Sequence, residues 1–140
     1  MKKHFAAVKA RLVSQLPVAI TVEDTVVPLA ADGTFKRAQY VIAFGGGPDA
    51  LGDDRFTAPQ RPDSNAEYTY KMQAVAVTAD AARDVAQKVI DALVRFRPVV
   101  AGRKCDPIKN TFSGEAKPEN TVKPPLFYVD LEFVLTSRRA

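Results

Sequence analysis

Four acidic residues in one stretch, Asp49, Asp53, Asp54 and Asp63, are where chemistry would first be sought in this 140-residue chain. Carboxylate oxygens suit hard divalent cations, and the adjacent Asp53-Asp54 resembles half of a carboxylate metal site. The stretch lacks the regular ligand spacing of an EF-hand loop, so solvated loop acids are expected and no metal or cofactor is assigned. Just upstream, Gly45-Gly46-Gly47 invites a phosphate-cradling reading, because glycine lets backbone N–H groups approach an anion. Pro48-Asp49-Ala50 stands where that motif needs Lys-Ser/Thr opening a helix, so a hinge at a strand end is the expectation.

His4 is the single histidine, and a histidine-based metal site or Ser-His-Asp relay would rest on it alone. It lies in a basic N-terminal turn with Lys2 and Lys3 and is expected at the surface. Cys105 has Arg103 and Lys104 beside it, charges that lower a thiol pKa. No base is nominated to activate it, and a partly buried structural thiol is expected. One cysteine makes no intrachain disulfide, which leans towards a reducing compartment. Asp130 and Glu132 share a strand face and are expected to pair with Lys71 across a sheet. On these residues the chain is read as a non-enzyme, one that fits against other proteins.

The elements that must position these residues follow from periodicity. Phe5, Val8, Leu12 and Leu16 recur at three- and four-residue spacing and draw the apolar stripe of a first helix, ended by Pro17. Ala19 to Glu23 reads as a short strand, Asp32-Gly33 as a turn, and Ala38 to Phe44 as a second strand. From Gly45 to Ala66 the chain holds four of its seven glycines and three of its ten prolines, which predicts a long loop. Tyr68 to Val77 alternates as a strand, with Tyr68, Tyr70, Met72, Ala74 and Ala76 on one face. Thr78 caps an amphipathic helix reaching Arg95, whose stripe is Ala82, Val85, Ala86, Val89 and Leu93. Arg97 to Lys104 reads as an edge strand, given Pro98 and Gly102. Asp106-Pro107, Gly114, Pro118 and Pro124-Pro125 punctuate a second long loop before the last strand, Leu126 to Leu135. There Phe127, Val129, Leu131, Phe133 and Leu135 face inward, and Arg138-Arg139 follow as a basic tail.

The sum is an α+β single domain over residues 1–140: a mixed, mostly antiparallel sheet flanked by two helices, with long loops at about 45–66 and 106–125. An apolar fraction of 46% and a charged fraction of 26% are ordinary for such a domain. No apolar run approaches the ~20 residues of a membrane span, so no membrane partner is expected. Lys9 and Arg11 interrupt any signal-peptide core, and the start of the chain is expected to be mature structure. The net charge of +4 is unevenly spread. Residues 1–11 hold Lys2, Lys3, Lys9 and Arg11 with no acid, whereas residues 45–67 are mainly acidic. Separate acidic and basic surfaces suit contact with further copies or with an acidic partner. Basic residues without interleaved aromatics argue against a nucleic-acid stacking groove.

The layout is similar to that of a known family. An N-terminal amphipathic helix precedes a strand pair, and a long loop separates Tyr40-Val41-Ile42-Ala43-Phe44 from Tyr68-Thr69-Tyr70-Lys71-Met72-Gln73. The helix from Thr78-Ala79-Asp80-Ala81-Ala82-Arg83 to Leu93 follows. This order resembles the tail terminator (tail completion or minor tail) proteins of long-tailed bacteriophages, across nearly the whole chain. The resemblance implies a six-fold ring that caps the tail tube, stops its growth and meets the head connector, with DNA passing through the lumen. It implies a virion protein at the tail–neck junction, made in the host cytoplasm, and no catalysis. Candidate contacts are Asp53, Asp54, Arg55, Phe56 and Arg61 in the first loop and Lys109 and Phe112 in the second. Arginine and aromatic side chains dominate interface hot spots, which is the reason for choosing among them. The alternatives are a head-completion or stopper neck protein and a small metal-dependent enzyme built on the acidic loop.

Overall fold

Alternation in two long segments builds the centre of the sheet. The computed structural model of the protein describes residues 2–25, 28, 38–44, 48–50, 66–120 and 125–139. In chain order these form α1 (Lys2–Gln15), β1 (Thr21–Asp24), β2 (Tyr40–Phe44), β3 (Pro48–Ala50), β4 (Ala66–Ala76), α2 (Ala79–Leu93), β5 (Arg103–Cys105), β6 (Lys109–Ser113), β7 (Lys117–Glu119) and β8 (Leu126–Arg139). β4 and β8 pair antiparallel from Ala66 opposite Ser137 to Ala76 opposite Phe127. On the far flank of β4 lie β2 and β3, both antiparallel to it, and β1 runs parallel to β2 at the edge. The free flank of β8 is filled piecewise by β5, β6 and β7, all antiparallel to it. The result is a mixed, mostly antiparallel sheet with the two helices on one face, as the α+β expectation has it.

Alternating side chains from both central strands point at the helices. Tyr70, Met72, Ala74 and Ala76 of β4 and Val129, Leu131, Phe133 and Leu135 of β8 are buried there. Val8, Leu12 and Leu16 of the α1 stripe join the same core, as do all five stripe residues expected on α2. The opposite face of the sheet carries a smaller cluster, Tyr40, Ile42, Val75 and Leu126, with Phe44 and Tyr128 packed against it.

Helix ends are set by local chemistry. The Thr78 side chain accepts a hydrogen bond from the N–H of Ala81 at 3.1 Å, satisfying one of the four orphan donors of a helix start. At its other end α2 has no basic residue in the last turn. Arg11 supplies that charge from α1, donating through Nε to the carbonyl of Ala92 at 2.9 Å and stacking over the Phe96 ring. The α1 ladder closes with Leu16 N–H on the carbonyl of Leu12, and Pro17 then begins a turn, its carbonyl bonded by Ile20.

Four expectations change. The strand expected over Arg97 to Lys104 shrinks to Arg103–Cys105, though at an edge as anticipated. Pro98 has no N–H to give a ladder, and Gly102 sits at φ +76 in the turn that Arg103 N–H closes on Val100. The second long loop contains β6 and β7, because the free flank of β8 offers backbone groups that need partners. Their polar composition and a bulge between Asn110 and Phe112 hid them from periodicity. Finally, Arg138-Arg139 is no tail but the end of β8, opposite Lys104 and Arg103. The first long loop likewise begins with a short strand, β3, while the Asp32-Gly33 turn lies outside the described residues.

Candidate functional site

Of the seven expected contact residues, Asp53, Asp54, Arg55, Phe56 and Arg61 lie outside the described residues. Lys109 and Phe112 are placed on β6, opposite Val134 and Glu132 of β8, on the sheet face away from the helices. Phe112 is 52% exposed, high for a phenylalanine, and borders a shallow groove of about 380 Å³. Phe44, Lys71, Gln73, Asp130 and Glu132 also line it. Lys71 lies opposite Glu132 in register, but the expected ion pairs with Lys71 do not form among the described residues, and Asp130 instead accepts a hydrogen bond from Gln73 Nε2 at 3.0 Å. With both charge signs and an exposed ring on a flat floor, the groove suits protein contact better than a small substrate.

The densest polar cluster is elsewhere, and it corrects the surface placement of His4. The first turn of α1 lies over the end of the sheet, so His4 is only 4% exposed, stacked on the Tyr68 ring at 4.4 Å. Its Nε2 is 2.9 Å from Ser137 Oγ. Burial lowers its pKa to about 4, and the positive charge of Arg103 acts in the same direction. The imidazole is therefore neutral at neutral pH. Arg103 donates to Ser137 twice, through Nε to Oγ at 2.9 Å and through Nη2 to the carbonyl at 3.0 Å. Cys105 Sγ stands 4.0 Å from the same Oγ.

A serine hydroxyl against a histidine nitrogen has the outline of a nucleophile and its base. Ser137 has 0% exposure, and Arg103 already occupies its oxygen, so no substrate reaches it. The thiol fares no better. Burial raises the Cys105 pKa, and Ser137 and Arg103 oppose that shift without cancelling it. The thiolate expected from Arg103 and Lys104 is thus disfavoured, and the structural role expected of the thiol stands. Burial also pushes the Tyr70 phenol up, and its hydroxyl and His4 Nδ1 are buried without a hydrogen-bond partner among the described residues. The cluster is a clamp that ties α1, β5 and β8 together. Ser137 was missed because the last strand was ended at Leu135; continuing the alternation by one step places it inward.

Among the described residues no group of three or more histidine, cysteine or acidic side chains could hold a metal ion. No helix among them is long and apolar enough to cross a membrane. No protein-family model matches the chain, and no curated protein matches it. Solved structures do match. One is a chain from the virion of a native gene transfer agent (GTA) particle, at 21% identity and a TM-score of 0.56, covering 94% of this chain and 92% of that one. A second solved chain, at 17% identity and a TM-score of 0.58, covers 99% of this chain and 96% of its own length. At these identities the likeness is one of fold, and it runs end to end.

Proposed function

We propose that the chain is a structural protein of a phage-like virion, a tail terminator that assembles as a closed six-membered ring. The ring caps the last ring of the tail tube, stops its growth and presents a surface to the head connector, and DNA passes through its lumen. The observation that carries this reading is the full-length likeness in fold to a chain of a gene transfer agent virion. The buried, blocked state of the Ser137–His4 pair supports a non-catalytic role. Heterologous contacts close into rings, and the groove beside Phe112 is a surface such a contact can use.

Electron microscopy of particles made without this protein tests the reading. Overlong tails without heads are expected, because loss of the growth stop lets the tube run on. Normal-length tails beside separate, leaking heads would move the protein to the head side of the neck, as a completion or stopper protein.

A second expectation concerns the segment between β3 and β4. Deleting residues 51–62 spares β3, which pairs with β4 as far as Ala50 opposite Ala66. The variant is expected to melt as cooperatively as the parent yet to stay monomeric by size-exclusion chromatography with light scattering. Loss of cooperative unfolding would show that the segment belongs to the domain's own core rather than to an assembly contact.

A further inference from the structure

The segment that follows α2 turns two arginines and a valine away from the fold. Over residues 95–100 exposure alternates: Arg95, Arg97 and Val99 are exposed, while Phe96, Pro98 and Val100 turn inward. Val99 is 92% exposed. Neither arginine has an ion pair or a side-chain hydrogen bond among the described residues. Arg95 also stands at φ +70, at the helix-ending position where glycine carries no strain. The helix end does not need this charge, because Arg11 already donates to the Ala92 carbonyl there. The segment is pinned by its backbone: Arg95 N–H donates to the Ile108 carbonyl at 3.1 Å, and Ile108 N–H to the Phe96 carbonyl at 2.9 Å. A partner meets it already ordered, which lowers the entropic cost of contact.

The matching surface is the groove on the sheet face away from the helices. It holds Asp130 and Glu132 against one base, Lys71, and its rings are Phe44 and the exposed Phe112. Asp130 and Glu132 are bonded by neutral groups, Gln73 and Thr111, so no cation bonded to them offsets their charge. The groove is therefore acidic and aromatic where the segment is basic and aliphatic.

We infer that the groove of one copy receives residues 95–99 of the next. Arg95 and Arg97 meet Asp130 and Glu132, and Val99 packs on the Phe112 ring. A guanidinium over either ring adds a cation–π contact. Arginine and aromatic side chains carry most interface hot spots, and here one type stands on each side. Groove and segment are different patches, so the contact is heterologous and repeats from copy to copy. A second copy is the partner because the complementary charge lies on this same chain; only closure into a ring rests on the terminator reading.

The test is sedimentation of the full chain at roughly 50 to 300 mM salt. The parent is expected to self-associate, more weakly as salt rises. Arg95→Glu with Arg97→Glu disables the segment, and Phe112→Ala with Glu132→Gln disables the groove. None of the four side chains is buried, so both variants are expected to melt cooperatively. Each alone is expected to associate at least ~10-fold more weakly than the parent. Mixed in equal amounts, they should form a dimer and nothing larger, since each pair keeps one intact groove and one intact segment. Lys3→Glu with Lys117→Glu makes the same charge change as the segment variant at other exposed sites, and should alter association less than ~2-fold. An equal loss in that control would reduce the effect to net charge and overturn the inference. Parental assembly in either variant would overturn it and leave the ring to other surfaces. A mixture that stays monomeric, or runs past a dimer, would show that groove and segment are not partners. A parent that is monomeric at every salt concentration overturns the contact and leaves the terminator reading to the tail-length test.

Discussion

Replacing Phe133 by alanine is expected to remove about 3–5 kcal/mol of stability. Phe133 has 0% exposure, sits midway along β8 and lies opposite Tyr70 on one side and Asn110 on the other. Its ring faces the helix side, where the residues of α1, α2, β4 and β8 converge in one cluster. Truncation loses the transfer free energy of a buried ring and leaves a void between strands that the β4–β8 ladder prevents from closing. Against a typical domain stability of about 5–15 kcal/mol, the variant should sit near the edge of folding at room temperature. Urea unfolding measures it: the midpoint should fall while the slope stays unchanged. Phe133→Leu, which keeps most of the volume, should lose less than half as much. A loss below ~1 kcal/mol for the alanine variant would mean that β8 does not pack on the helices in this register.

Acidification should destabilise the protein well before its carboxylates titrate. His4 has a pKa near 4 in the folded chain against 6.5 for an ordinary histidine. The unfolded chain thus binds a proton that the folded chain refuses as pH falls below that upper value. The stabilisation is fully present above about pH 6.5, declines by up to ~1.4 kcal/mol per pH unit, and levels off once the folded state protonates too. By about pH 5 the loss should be close to 2 kcal/mol, which for a chain of this size lowers the melting temperature by roughly 6–10 °C. Burial of the ring is the main cause, and the neighbouring charge adds to it. A proton on the ring would place an imidazolium beside the Arg103 guanidinium, with both competing for Ser137 Oγ. Thermal melts at stepped pH measure the slope, and His4→Gln, an uncharged polar replacement, should flatten it between about pH 6.5 and 5. An unchanged slope in that variant would transfer the effect to other groups.

Much of the fold was legible because it is written in local periodicity. The α2 stripe, its Thr78 cap and the inward set on β8 each depend on residues within a few positions of one another, and all appear where expected. The β6 and β7 strands were not legible. Lys109 and Asn110 have little strand propensity of their own and become strand because β8 presents an open flank. The candidate contacts divide in the same way. Phe112 was chosen by residue type, and the structure adds that it is exposed beside a groove.

His4 shows the boundary most clearly. Sequence neighbours marked it as a surface residue, since Lys2 and Lys3 precede it and more bases follow. Burial is decided by what comes from far along the chain: Tyr68 stacks on the ring, and Ser137, 133 positions away, bonds its nitrogen. The same contact brings the N-terminal lysines to the corner where Arg103 and Lys104 meet Arg138 and Arg139. By itself the sequence determined that the chain forms two amphipathic helices on a mostly antiparallel sheet, because side-chain period and helix capping are local. Only the tertiary structure decided which basic segments share one end of the molecule and that the single histidine stays neutral, because charge and solvation depend on distance in space.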